Sequence, residues 1–152
     1  MGLKDRLVEE MKEAAKSGDK LKLSVIRMAL AAIKNKEKEL RREPDDQEVM
    51  KLLASMIKQG KEAREQFSKG GREDLAEKEA KEVEILQSFL PPPLSPQELE
   101  EEVRKAIEEV GAKGPQDLGR VMKVIMPRIA GRAEGRSVNE LVRKKLSELA
   151  TA

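Results

Sequence analysis

Apolar residues recur along this chain at steps of three and four, the spacing that stacks side chains on one face of an α-helix. The most regular stretch is residues 118–149. Leu118, Val121, Met122, Ile125 and Ile129 line one side of a first helix, and Val138, Leu141, Val142, Leu146 and Leu149 line one side of a second. Gly131-Arg132-Ala133-Glu134-Gly135 joins them. Gly131 can stop the first helix in a left-handed conformation, which costs glycine nothing sterically. Glu134 stands where the second helix starts, and its charge complements the positive end of the helix dipole.

The same periodicity places five more helices before this pair. Residues 3–16 carry Leu3, Leu7, Met11 and Ala14/Ala15 inward, and Ser17-Gly18 ends them. Asp19 caps a second helix that runs to about Arg42 and buries Leu21, Val25, Ile26, Ala29, Leu30 and Ile33. After the break at Pro44, Asp45 stands three residues before Glu48, a capping-box spacing. It opens a third helix to about Ser68 with Val49, Leu52, Leu53, Met56, Ile57 and Phe67 on its buried side. Gly60 interrupts that helix at a cost of about 1 kcal/mol relative to Ala. A close helix crossing and simple drift both account for it. Beyond Gly70-Gly71 a fourth helix runs from Glu73 or Asp74 to Phe89, contacting its neighbours through Leu75, Val83, Leu86 and Leu90.

Pro91-Pro92-Pro93 cannot continue a helix and marks a boundary. Ser95-Pro96-Gln97-Glu98 then restarts one, with a cap, a proline at the first helical position and an acid at the third. This fifth helix carries Leu99, Val103, Ala106, Ile107 and Val110, and Gly111 ends it. Gly114-Pro115 opens the sixth, which Pro127 is expected to kink or end. Strand-like alternation of useful length is absent. The pattern predicts an all-α protein: a four-helix domain over residues 1–90, a Pro-rich linker over 91–94 and a three-helix domain over 95–152.

Composition sharpens this picture. Of 152 residues, 39% are charged and 38% hydrophobic, enough apolar matter for a core. With no Trp or Tyr and only Phe67 and Phe89, that core must be aliphatic, as helical bundles accept. The net charge is only +2, but it is unevenly spread. Residues 113–147 hold nine Lys/Arg against three Asp/Glu, a local balance of +6, directly after an acidic helix. The outward positions there are Arg120, Lys123, Arg128, Arg132, Arg136, Arg143 and Lys144. Such a surface is either a solvated face or one that meets a polyanion.

The chemistry available is limited. Without Cys there is no disulfide, thiolate metal site or Cys nucleophile, and without His the usual general base near neutral pH is missing. Glycine clusters sit at helix ends, where capping explains them. No catalytic residue, metal site or cofactor is expected. Residues 1–17 do not resemble a signal peptide and no apolar run approaches a membrane span, so a soluble cytoplasmic protein with no membrane partner is expected.

Several stretches together resemble a known family. They are Leu21-Lys22-Leu23-Ser24-Val25-Ile26-Arg27-Met28 with Ala31-Ala32-Ile33-Lys34-Asn35, then Gly71-Arg72-Glu73-Asp74-Leu75, then Glu84-Ile85-Leu86 leading to Phe89-Leu90-Pro91. The series closes with Gly119-Arg120-Val121-Met122, Met126-Pro127 and Gly131-Arg132-Ala133-Glu134-Gly135 before Val138. In order and spacing these resemble the YqeY-like proteins, which share the GatB/YqeY domain. The resemblance implies an all-helical fold with a larger N-terminal part and a three-helix C-terminal part. It further implies kinship to the tail of the B subunit of glutamine-dependent aminoacyl-tRNA amidotransferases. That tail helps hold tRNA while carbon–nitrogen ligation, with glutamine as amido-N-donor, occurs on other domains.

Two functions follow as expectations. One is a non-catalytic module that binds tRNA, or assists an amidotransferase-type complex, through the seven basic positions above. The C-terminal part has no aromatic residue, so recognition would be of backbone and shape. The alternative is an adaptor that takes a protein partner on the N-terminal helices, whose distal segments 34–42 and 58–64 are strongly charged. Lys145 falls inside the apolar stripe of the last helix. Its aliphatic stem can pack there while the amine reaches water.

Overall fold

A computed structural model describes residues 2–129 and 132–151. The described chain is all-α, and it divides into two compact units, residues 1–91 and 92–152.

The first unit holds α1 (Leu3–Ser17), α2 (Lys20–Leu40), α3 (Asp46–Lys69) and α4 (Glu73–Gln87). Each boundary has a local cause. Gly18 takes φ 76° and returns its N–H to the Ala14 carbonyl, closing α1. Asp19 accepts the Lys22 N–H at 3.1 Å. Asp45 and Glu48 form a reciprocal capping box at 2.8 and 3.1 Å. The core of this unit is Leu7, Val25, Ile26, Ala29, Ile33, Val49, Leu53, Ile57, Leu86, Phe89 and Leu90. The two residues that close it, Phe89 and Leu90, lie in the turn after α4, and α1 holds that turn in place. Arg6 donates to the Ser88 carbonyl at 3.0 Å and lies 5.1 Å from the centre of the Phe89 ring.

Three details differ from the sequence reading. α2 stops at Leu40, and Arg41 takes the left-handed conformation (φ 59°) with its N–H returned to Glu37. The chain must turn there to bury Pro44, and no glycine is present to do it at no steric cost. α4 ends at Gln87, so that Phe89 reaches the core from a turn. Ala15 is exposed, and Ala14 alone carries the inward position.

Gly60 has a structural reason. A Cβ built on it would lie 2.7 Å from Val83 Cγ2, so α3 and α4 cross where only a hydrogen fits.

The second unit holds α5 (Pro96–Val110), a single 3-10 turn (Pro115–Asp117), α6 (Leu118–Ile129) and α7 (Gly135–Thr151). Gly114-Pro115 therefore opens the 3-10 turn, and α6 begins at Leu118. Pro127 lies two residues before the end of α6, where its missing N–H costs little further helix. Gly131, expected to stop α6, lies outside the described residues. Val103, Ala106, Val121, Ile125, Ile129, Val138, Val142 and Leu146 make the core, with Leu94 packed against it. Leu149, expected inward, is exposed. Among the described residues no helix is long and apolar enough to cross a membrane.

Candidate nucleic-acid interface

The basic positions are set by the same periodicity that builds the core of the second unit. On α6, Val121, Ile125 and Ile129 point inward, which leaves Arg120, Lys123 and Arg128 exposed. No acid lies within α6. On α7, burial of Val138, Val142 and Leu146 leaves Arg136, Arg143 and Lys144 exposed. The two helices pack on one core, so their outward residues form two groups. Arg120 and Lys123 belong to the α6 group, and Arg136, Arg143 and Lys144 to the α7 group.

The seven cations differ in what already holds them. Arg120 lies 3.1 Å from an Asp117 oxygen and donates to the Val110 carbonyl at 2.8 Å, tying the start of α6 to the end of α5. Asp117 also accepts the Lys113 N–H. That backbone bond, together with Arg120, holds its carboxyl below the usual carboxylate range. Arg128 pairs with Glu109 of α5. Arg136 lies 3.4 Å from Glu140 on its own helix, and Arg143 donates to the Asn139 side chain at 2.8 Å.

Arg132 is half-buried and has a structural task. Its carbonyl accepts the Leu94 N–H at 2.9 Å, and its Nε donates to the Pro92 carbonyl at 3.1 Å. It thereby fastens residues 92–94 to the second unit and seats Leu94 against the core. Nearby, Ser95 and Glu98 form the capping box of α5. The Ser95 N–H keeps the Glu98 carboxyl below its ordinary value, and the Arg132 charge adds to the effect.

Lys123 and Lys144 differ from the rest. Among the described residues neither makes an ion pair or a side-chain hydrogen bond. The Arg136–Glu140 pair is largely exposed and worth at most about 1 kcal/mol, so an incoming phosphate can compete for that guanidinium, whereas Arg120 is exposed but held by an Asp117 carboxylate that is mostly buried. The α5 flank behaves oppositely. Glu101, Glu108 and Glu109 line it and would repel an anion. Sequence reading finds the cations by counting. It does not find Glu109 or Pro92 as partners, because both contacts join residues distant in the chain. Asp117 was accessible from its three-residue spacing to Arg120.

Lys145 is half-buried, with its ammonium 3.9 Å from both Glu100 and Glu148. Among the described residues no cluster of three or more His, Cys, Asp or Glu could hold a metal ion.

A sequence model of the family described as "Yqey-like protein" matches residues 4–146. The fungal protein named "Altered inheritance of mitochondria protein 41, mitochondrial" from Pyrenophora tritici-repentis is 33% identical over 149 residues, spanning 97% of this chain and 80% of its own length. The protein of the same name from Vanderwaltozyma polyspora is 34% identical over 110 residues, 70% of this chain and 60% of its own. The one from Kluyveromyces lactis is 38% identical over 84 residues, 55% of this chain and 45% of its own. The chain thus covers less than two thirds of the latter two relatives. The expectation of a cytoplasmic protein is corrected by these comparisons, since the relatives are mitochondrial by name.

Proposed function

The chain belongs to the YqeY-like protein family, and on that premise we propose that its second unit is a non-catalytic module holding folded, tRNA-like RNA by backbone and shape. The observation that carries this reading is the pair of basic groups on the outward sides of α6 and α7. Among the described residues, Lys123 and Lys144 there have no acid partner, and Arg136 and Arg143 stand in exposed contacts that phosphates can replace, with the exposed Arg120 guanidinium on α6 beside Lys123. The absence of aromatic residues beyond Phe89 argues for phosphate contacts over base stacking. The acidic α5 flank orients the RNA, because only the α6–α7 side attracts it.

Within amidotransferase-type machinery such a module positions tRNA while other subunits form the carbon–nitrogen bond. The sequence resemblance to the B-subunit tail supports that setting, and the reading assigns no chemical step to this chain.

Lys123→Glu combined with Lys144→Glu tests the assignment. Neither side chain holds the fold together, so melting should stay within about 0.5 kcal/mol of the parent. Affinity for bulk tRNA should fall by tenfold or more. Undiminished affinity in a folded double variant would remove the interface from this face. Arg132→Glu is a poorer probe, because it also breaks the bond to Pro92.

A further inference from the structure

The first unit carries a second cationic surface, on α2. Residues 20–36 contain five Lys/Arg and no Asp or Glu, and the first acid is Glu37. Lys22 and Lys36 are taken up by Glu10 (2.8 Å) and Glu39 (3.6 Å). No ion pair among the described residues involves Lys20, Arg27 or Lys34. These three recur at seven-residue steps, so they form one stripe on the side opposite Val25, Ile26, Ala29 and Ile33.

Apolar surface lies between the charges. Met28 is 56% exposed, the most exposed large hydrophobic side chain of the described residues. Ser24 and Ala31, small and two turns apart, leave an open depression of about 470 Å³ lined by Lys20, Leu23, Ser24, Arg27, Met28 and Ala31. A thioether exposed beside a shallow apolar floor suits an aliphatic side chain, since methionine adapts its shape to what packs on it. The cations stand at the rim of that floor. A nucleic acid backbone would need donors converging across it, and the floor has only the Ser24 hydroxyl. An amphipathic helix laid in such a groove presents apolar anchors at i, i+3, i+4 and i+7, and the rim requires its flanks to be acidic.

We propose that the outer face of α2, from Lys20 to Lys34, docks an acidic amphipathic helix of a protein partner. Its apolar anchors pack on Leu23, Met28 and Ala31, and its carboxylates meet Lys20, Arg27 and Lys34. The site is independent of the RNA interface, which lies on the other unit.

The test uses the full chain with ¹³C-methyl-labelled methionine, the Met28 resonance being assigned by its loss in Met28→Glu. The probe is a synthetic helical peptide of about 16 residues, roughly 24 Å long, with leucines on one face and glutamates on the other. The controls are the same peptide with lysine for every glutamate, and folded tRNA. The acidic peptide should shift the Met28 methyl in a saturable way, and the lysine peptide should not. Arg27→Glu and Met28→Glu, both at exposed positions, should each weaken peptide binding about tenfold with unchanged helicity. An unmoved Met28 methyl, equal response to both peptides, or a response to tRNA alone would overturn the proposal, the last by making α2 a nucleic-acid surface.

Discussion

Gly60 on α3 meets Val83 on α4 so closely that a Cβ on the glycine would lie 2.7 Å from Val83 Cγ2. Valine is branched at Cβ and has little rotamer freedom with which to withdraw. The contact therefore fixes how near the two helices lie.

Gly60→Ala should destabilise the protein despite alanine's better helix propensity. Overpacking costs about 1–3 kcal/mol and the propensity gain returns about 1, for a net loss of about 1 kcal/mol in denaturant unfolding. In a Val83→Ala background the same change should become neutral or stabilising. A loss of equal size in both backgrounds would mean that Val83 is not what the new methyl strikes.

Acid stability should depend on Glu48. Its bidentate hydrogen bonds with Arg42, at 2.7 and 3.1 Å, and the Asp45 N–H lower its pKa to about 2. A depressed folded-state value means that the ionised carboxylate favours folding. That contribution is complete above about pH 4.5 and is lost as pH falls towards 2. Glu48→Gln should flatten the stability profile across this window while leaving its slope above pH 5 unchanged. Carboxyl NMR titration of the parent protein checks the value directly.

Glu79 should behave in the opposite sense. Burial raises its pKa, and the neighbouring Glu82 adds to the shift. The folded state therefore favours the protonated form, and this part of the stability grows as pH falls through the raised folded value. Glu79→Gln should stabilise the protein at pH 7 and remove that gain on acidification. Equal destabilisation at pH 4 and pH 7 would indicate a packing role instead.

Lys145 should matter for stability and not for RNA. Its side chain is half-buried, and its ammonium lies 3.9 Å from both Glu100 and Glu148. Lys145→Met should leave tRNA affinity within about twofold and raise stability by up to about 1 kcal/mol, as expected when weak 3.9 Å pairs are replaced by apolar contact. A tenfold loss of affinity would place Lys145 in the interface.

Helix positions were legible in the chain because local signals coincide with tertiary ones. Asp19, the Asp45/Glu48 box and the Ser95/Glu98 box each sit where the apolar periodicity begins. The end of α2 was less legible, since Arg41 adopts a left-handed turn that nothing in its own chemistry announces. Gly60 was ambiguous for a related reason. Its explanation, Val83, lies on another helix, and spacing along one helix cannot reveal what crosses it. The candidate interface was legible as a list of cations. Its division between α6 and α7, the engagement of Arg128 by Glu109 and the structural duty of Arg132 at Pro92 all depend on long-range packing. The α2 groove emerged only with the structure, which shows that Met28 is not covered.

The central proposal is that the basic sides of α6 and α7 hold folded RNA. Its direct test is the affinity of the purified chain for tRNA across a salt series, with unstructured RNA and heparin as competitors. Each phosphate contact contributes about 0.7–0.9 to the slope of log K against log salt. Binding should persist near physiological salt, prefer folded tRNA, and lose about 1.5 of its slope in the Lys123→Glu/Lys144→Glu variant. Binding that vanishes by physiological salt, ignores RNA structure, or keeps its full slope in that variant would contradict the proposal.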